Sequence, residues 1–238
     1  MTDDEHIERE VVEFAKTHKK EIARELTDIK RFPPDATPVS VFMAGSPGAG
    51  KTESSLRLIE RLSGDGHSVL RIDADDLRTR FGNYTGKNST LFQYATSIIA
   101  DKMQDLAIEQ CQNYVFDGTL SNLERARENI KRSLDHGRVV QVLYVYQDPL
   151  QAWKFVLARE QRDGRTIPKE SFVDQYFLAR ENANILKREF GRQIRIDLIV
   201  KNIDGTDFKY KENISDIDSH MSERYTQDTL RQLLSETL

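Results

Sequence analysis

The chain has 238 residues, with 35 Lys and Arg against 39 Asp and Glu, so its formal net charge is −4. With 38% hydrophobic and 31% charged residues it is too apolar for a disordered chain and too charged for a membrane-embedded one. The slightly acidic balance argues against a partner such as extended nucleic acid or an anionic membrane, and the lone Cys111 excludes an internal disulfide framework and points to a reducing, cytoplasmic setting.

The opening MTDDEHIERE lacks the basic-then-apolar pattern of a signal peptide. Ile7, Val11, Phe14, Ile22, Leu26 and Ile29 recur mostly at three- and four-residue steps, which predicts an amphipathic helix over 3–30, with Thr2 and Glu5 as a capping box. Packing of this helix on its own domain is expected. Pro33, Pro34 and Pro38 end it in a stiff connector. Val39–Ala44 reads as a strand, Lys51–Leu62 as a helix broken at Gly64–Gly66, and Ser68–Asp73 as a second strand. A turn falls at Gly82–Gly86, a helix at Thr90–Gln110 and a third strand at Asn113–Asp117. A helix at Leu123–Leu134 is closed by His136-Gly137, and a fourth strand spans Val139–Tyr146, too short to cross a membrane. Helices over 149–162 and 169–189, a fifth strand at Ile194–Val200 and a helical tail complete the chain. Cys111 falls on the apolar stripe of Met103 and Ala107 and is expected to be buried; Trp153, Phe155 and Tyr176 read as packing residues.

Strands alternating with helices predict a three-layer α/β fold around a mostly parallel central sheet, with a leading N-terminal helix and a helical C-terminal tail. Residues 1–38 form the helix and connector, 39–205 the central domain, and 206–238 a helical extension of that domain. Ligands of such sheets sit beyond the carboxyl ends of the strands, where three polar clusters lie.

The first cluster is Gly45-Ser46-Pro47-Gly48-Ala49-Gly50-Lys51-Thr52, a complete G-x-x-x-x-G-K-T between a strand and a helix. Its glycines let backbone N–H groups converge on phosphates at the positive end of a helix. Lys51 then reaches the β- and γ-phosphates, and the Thr52 hydroxyl is the expected Mg²⁺ ligand. The expected nucleotide is ATP or GTP. The second cluster is Ile72-Asp73-Ala74-Asp75-Asp76-Leu77-Arg78. A kinase acting on an alcohol needs a carboxylate to take the hydroxyl proton, and Asp75 is the candidate; Asp73 is placed near the metal and substrate, and Asp76 also suits helix capping. The third is Asp117-Gly118-Thr119, a carboxylate and a hydroxyl suited to gripping a polyol or ribose. Ser121 or Asn122 then caps the next helix. Arg159 and Arg165 bracket Gly164 between two helices, where arginines can close over a transferring phosphate. Arg78, Lys87 and Asn88 are further candidate substrate contacts. The five histidines have no zinc spacing and no metal-ligand cluster appears.

Together, AGSPGAGKT at Ala44–Thr52, IDADDLR at Ile72–Arg78, DGT at Asp117–Thr119, Arg159-Glu160 and Gly164-Arg165 resemble the zeta toxin family of P-loop kinases, over about Val39–Asn202. The resemblance implies an ATP- or GTP- and Mg²⁺-dependent phosphotransferase acting on a small-molecule hydroxyl, such as that of UDP-N-acetylglucosamine. It implies Asp75 as base, Lys51, Arg159 and Arg165 on the transferring phosphate, and Asp117 and Thr119 on the acceptor. It further implies a toxin held in check by a helical antitoxin covering the nucleotide site. Two positions depart from the family pattern. Asp117 stands where better-known members carry Glu, and Ser121 where they carry Arg, so a cationic contact to a sugar nucleotide falls to Lys87 or Arg78. The competing readings are a P-loop kinase for a dinucleotide, nucleoside or sugar, and a non-catalytic ATP-gated binding module.

Overall fold

Helix α1 (Asp3–Leu26) leads into strand β1 (Val39–Ala44) and helix α2 (Lys51–Gly64). There follow β2 (Val69–Asp73), α3 (Gln93–Glu109), β3 (Asn113–Asp117), α4 (Leu123–Asp135) and β4 (Val139–Tyr146). Helices α5 (Pro149–Asp163) and α6 (Lys169–Phe190), strands β5 (Ile194–Lys201) and β6 (Phe208–Lys211), and helix α7 (Gln227–Glu236) complete the order. The computed structural model describes residues 2–64, 66, 68–164, 166–202, 208–221 and 225–236.

The strands form one six-stranded sheet in the order β2-β3-β1-β4-β5-β6. The first five are mutually parallel, and β6 runs antiparallel to β5. Successive side chains of a strand face opposite ways, so each strand feeds two layers. Val41, Met43, Val69, Val115, Leu143 and Val145 form one face, covered through Leu58, Ile59 and Leu62 of α2. Phe42, Leu70, Ile72, Tyr114, Val142 and Tyr144 form the other, packed against apolar residues of the remaining helices. The central strands are buried on both faces, as parallel sheets require. The chain crosses from the β1–β3–β2 half to the β4–β5 half beside β1, so the loop after β1 opens at the switch point of the sheet.

The Thr2–Glu5 capping box forms and starts α1, which packs on α3 through Val11, Ala15, Ile22 and Ala23. The helix expected over 3–30 stops at Leu26. There the Thr27 hydroxyl and backbone N–H both donate to the Ala23 carbonyl, and the Asp28 carboxylate takes the Lys30 N–H. The helix expected from Thr90 begins as a 3₁₀ turn at Ser89–Phe92, and the helix in the tail covers only Gln227–Glu236. Strand β6 was not foreseen. Cys111 is exposed rather than buried: α3 has ended, and the residue sits in a left-handed turn with φ 52°. Trp153 and Tyr176 are buried as expected, whereas Phe155 is 42% exposed. Among the described residues no helix is long and apolar enough to cross a membrane.

Candidate active site

The phosphate loop follows β1 directly, and its shape depends on residues without side chains. Gly48 and Gly50 have φ of 74° and 82°, in the region L side chains avoid. A Cβ on Gly48 would lie 2.2 Å from the Ala152 carbonyl oxygen of α5, and one on Gly50 would lie 2.4 Å from Lys201 Nζ. The loop is thus clasped between α5 and the end of β5. Lys51 opens α2 and turns back over the loop, donating to the carbonyls of Gly45 at 3.0 Å and Ser46 at 2.7 Å. Thr52 is exposed at the first turn of α2, where the free N–H groups and the positive helix end also point. Its hydroxyl is a hard oxygen donor of the kind Mg²⁺ takes alongside phosphates and water. Among the described residues no group of three or more His, Cys, Asp or Glu could hold a metal ion.

The neighbouring strands bring the other clusters to the same edge. Gly45 N–H donates to the Thr119 carbonyl at 3.2 Å, joining the loops after β1 and β3. The Thr119 hydroxyl pairs with Ser121 at 2.8 Å, and Asn122 rather than Ser121 caps α4, accepting from Arg125 N–H at 3.0 Å. Asp73 and Asp117 face each other across the β2–β3 ladder. Like charges in register repel, and the sequence supplies the remedy two residues back on the same face. Arg71 donates to Asp117 through Nε at 3.2 Å and Nη2 at 2.8 Å, and forks onto Asp73 and Asp76 as well. Ser55 of α2 donates to the same Asp117 oxygen at 2.9 Å. Burial alone would weaken the Arg71 charge, but Asp73, Asp117 and Asp76 outweigh it and hold its pKa above the ordinary range.

Strand β2 ends at Asp73, and the Asp73 carboxylate accepts the Asp75 N–H at 2.8 Å, turning the chain into a 3₁₀ segment, Asp76–Arg80. Asp75 therefore does not continue the strand alternation. It projects from the turn with its carboxylate 37% exposed, 2.8 Å from Arg78 Nη2. Arg78 is buried, and desolvation lowers its pKa, partly offset by Tyr84 and Asp73. Among the described residues its Nε and Nη1 have no hydrogen-bond acceptor. Asp75, at the N-cap of the 3₁₀ segment, makes no side-chain cap to it, and the Asp76 carboxylate is held by Arg71.

Helix α5 ends at Gly164 in the left-handed conformation, after carrying Arg159 in its last turns. Lys87 Cγ would lie 3.6 Å from a Cβ on Gly164, so the loop after β2 meets the α5–α6 turn. Arg165 lies outside the described residues. Asn88 spends its amide on its own turn, accepting from Thr85 N–H and donating to the Asn83 carbonyl. Two residues escaped the sequence reading. Arg71 looks like an ordinary strand position, yet its shared parity with Asp73 was a usable signal. Lys201, at the end of β5, has Nζ 3.3 Å from the Gly50 carbonyl and 3.1 Å from Glu53, and only the topology brings it to the phosphate loop.

A family model described as Zeta toxin matches residues 22–215. No curated protein matches the chain. Among solved structures, the chain is similar to one from the PezAT chromosomal toxin–antitoxin system of Streptococcus pneumoniae. That pair shares 15% identity, with a TM-score of 0.65 over 94% of this chain and 96% of the other. It is also similar to a chain of the AvrRxo1-ORF1:-ORF2 complex with ATP, at 16% identity and a TM-score of 0.57, covering 87% of this chain and 65% of that one. A third likeness is to a chain of the Pnkp1/Rnl/Hen1 RNA repair complex, at 16% identity and a TM-score of 0.51, over 82% of this chain and 55% of that one. At such identities the structural likeness is one of fold. The family match covers the phosphate loop, the carboxylates on the strand ends and the α5–α6 turn together, over most of the sequence; the chain belongs to the zeta toxin family.

Proposed function

We propose that this protein is a phosphotransferase, moving the terminal phosphoryl group of ATP or GTP onto a hydroxyl of a small molecule. We take a nucleotide sugar such as UDP-N-acetylglucosamine as the leading acceptor, and the toxin half of a toxin–antitoxin pair as its setting. One observation carries the reading: a complete phosphate loop and an accessible carboxylate, Asp75, lie on the same strand edge, tied together through the loop after β3. Family membership and the description of the similar PezAT protein as part of a toxin–antitoxin system support the setting.

In this reading the acceptor oxygen attacks the γ-phosphorus, a P–O bond forms, and the bond to the bridging β–γ oxygen breaks. The hydroxyl proton passes to Asp75. Phosphoryl transfer proceeds through a loose transition state that asks for orientation more than for a strong base, so a carboxylate already paired with Arg78 is adequate. Lys51 swings from its own loop carbonyls onto the β- and γ-phosphates, with Arg159 and Arg165 on the transferred group. Mg²⁺ neutralises charge on those phosphates when it is bound, and Thr52 is its ligand on the chain. Asp117 is nearly enclosed by Arg71 and Ser55, so its part is to shape the acceptor side while Thr119 touches the acceptor. The unsatisfied N–H groups of buried Arg78 favour an acceptor that carries its own anion, as the diphosphate of a sugar nucleotide does.

The test is incubation with ATP or GTP and Mg²⁺ against nucleotide sugars, dinucleotides, nucleosides and simple sugars, followed by mass spectrometry. Gain of one phosphate on a nucleotide sugar is the expected result. Gain on another class moves the acceptor assignment, and no gain on any of them contradicts the kinase reading.

A further inference from the structure

The β2–β3 ladder puts Asp73 directly opposite Asp117. Two ionised carboxylates in register on one face of a sheet repel, and each is largely shielded from water, with 10% and 4% of its side chain exposed. Here a shared cation offsets that repulsion. Arg71 is two residues before Asp73 and therefore on the same face, beneath α2. Its planar fork reaches Asp117 with two nitrogens and Asp73 and Asp76 with the outer ones.

What lies on either side of this fork gives it a further consequence. On one side, Asp117 accepts the Ser55 hydroxyl at 2.9 Å, and the same hydroxyl lies 2.9 Å from the carbonyl of Thr52. On the other, Asp73 accepts the backbone N–H of Asp75 at 2.8 Å and so sets the turn that presents the Asp75 carboxylate. A continuous chain of contacts thus runs from the first turn of the phosphate-loop helix, through Ser55, Asp117, Arg71 and Asp73, to Asp75.

We propose that Arg71 is a positioning residue that sets the catalytic carboxylate relative to the phosphate loop, acting through Asp73 on the Asp75 turn and through Asp117 and Ser55 on α2. The inference rests on the phosphotransferase reading of the site. Arg71 contacts no reacting atom; its effect is on the orientation of Asp75, and so on the rate of transfer rather than on nucleotide capture. A lysine at 71 keeps the charge and can place one ammonium between Asp73 and Asp117, as Nη2 does, but it lacks the second hold on Asp117 through Nε and the hold on Asp76 through Nη1 that fix the turn.

The experiment compares the full-length wild type, Arg71→Lys, Arg71→Met, Asp73→Asn and the Arg71→Lys/Asp73→Asn double variant, using the acceptor found in the mass-spectrometric screen. Melting temperature, nucleotide affinity by titration calorimetry and kcat are measured for each. Arg71→Lys is expected to melt within a few degrees of wild type and to bind nucleotide within about two-fold, with kcat reduced about ten-fold or more. In the Asp73→Asn background the lysine is expected to cost less than it does in the wild type, because the charge contact through Asp73 is already lost while the route through Asp117 and Ser55 remains. Wild-type kcat in folded Arg71→Lys or Arg71→Met, additive losses in the double variant, or nucleotide affinity falling in step with kcat would each overturn the inference. If Arg71→Met fails to fold, Arg71→Lys decides alone. A wild-type protein that transfers phosphate to nothing removes the reading of the site, and this inference with it. An active wild type with an equally active Arg71→Lys removes the inference only.

Discussion

At the scale of single residues, the phosphate loop is legible from its spacing, and its tolerance can be ranked from what surrounds each glycine. Gly48 faces the backbone oxygen of Ala152, which cannot move without shifting α5. Gly48→Ala combines left-handed strain with that clash and should cost about 2–4 kcal/mol and abolish nucleotide binding. Gly50 faces the far end of the Lys201 side chain, which can swing away. Gly50→Ala should cost less, about 1–2 kcal/mol, and Gly50→Ala/Lys201→Ala should recover the part owed to the clash while keeping the backbone strain. Chemical denaturation of the four proteins checks the order. A Gly48→Ala protein as stable as Gly50→Ala would contradict the packing described. The sequence shows that glycine is needed at these places; it does not show that one wall is backbone and the other a lysine tip. The same limit hides Arg71 and Lys201, whose partners are 46 and 151 positions away in the chain.

At the scale of elements, the order of strands and helices follows from alternating hydrophobic periods, and errors concentrate where local polar groups or tertiary pairing override them. Thr27 and Asp28 end α1 early through their own hydrogen bonds, and β6 is a four-residue edge strand with two lysines, too short and too polar to stand out. What holds β6 is Asp197 of β5. Its fully buried side chain accepts from Arg195, Tyr210, Gln141 and the Asn213 backbone N–H. Burial pushes the Asp197 pKa up, but Arg195, Tyr210 and the Asn213 N–H outweigh it and hold the pKa below the usual carboxylate value. The folded form therefore gains stability from ionised Asp197 above the unfolded pKa of about 4, and loses it as pH falls from there through the folded value. Asp197→Asn should cost about 3 kcal/mol at neutral pH and flatten the acid limb of the stability profile below pH about 4. Denaturant melts from pH 7 to pH 2 read both. An unchanged acid limb in the variant would place the titration elsewhere. In α1, Ala15 is fully enclosed. Ala15→Leu should overpack the contact with α3 and cost about 1–3 kcal/mol, read in the same melts.

At the scale of the whole molecule, the net charge of −4 describes the surface and says little about the strand edge, where Lys51, Arg71, Arg78 and Lys201 gather among carboxylates. A small anionic acceptor touching one or two of these cations should show a rate loss of about ten-fold or less between 50 and 200 mM salt, whereas a polynucleotide would lose several orders of magnitude. Initial rates across that range, with the acceptor held well below its KM, check it. The fold class and the edge that carries the chemistry could be read from the sequence because both depend on local patterns repeated along the chain. The way the carboxylates are held apart depends on register between β2 and β3, which no local pattern records. The most direct test of the account is single-turnover transfer by Asp75→Ala beside nucleotide binding by the same protein. Nucleotide affinity within about two-fold of wild type, with transfer reduced by a factor on the order of 10³ or more, is the predicted result; transfer at the wild-type rate would contradict it.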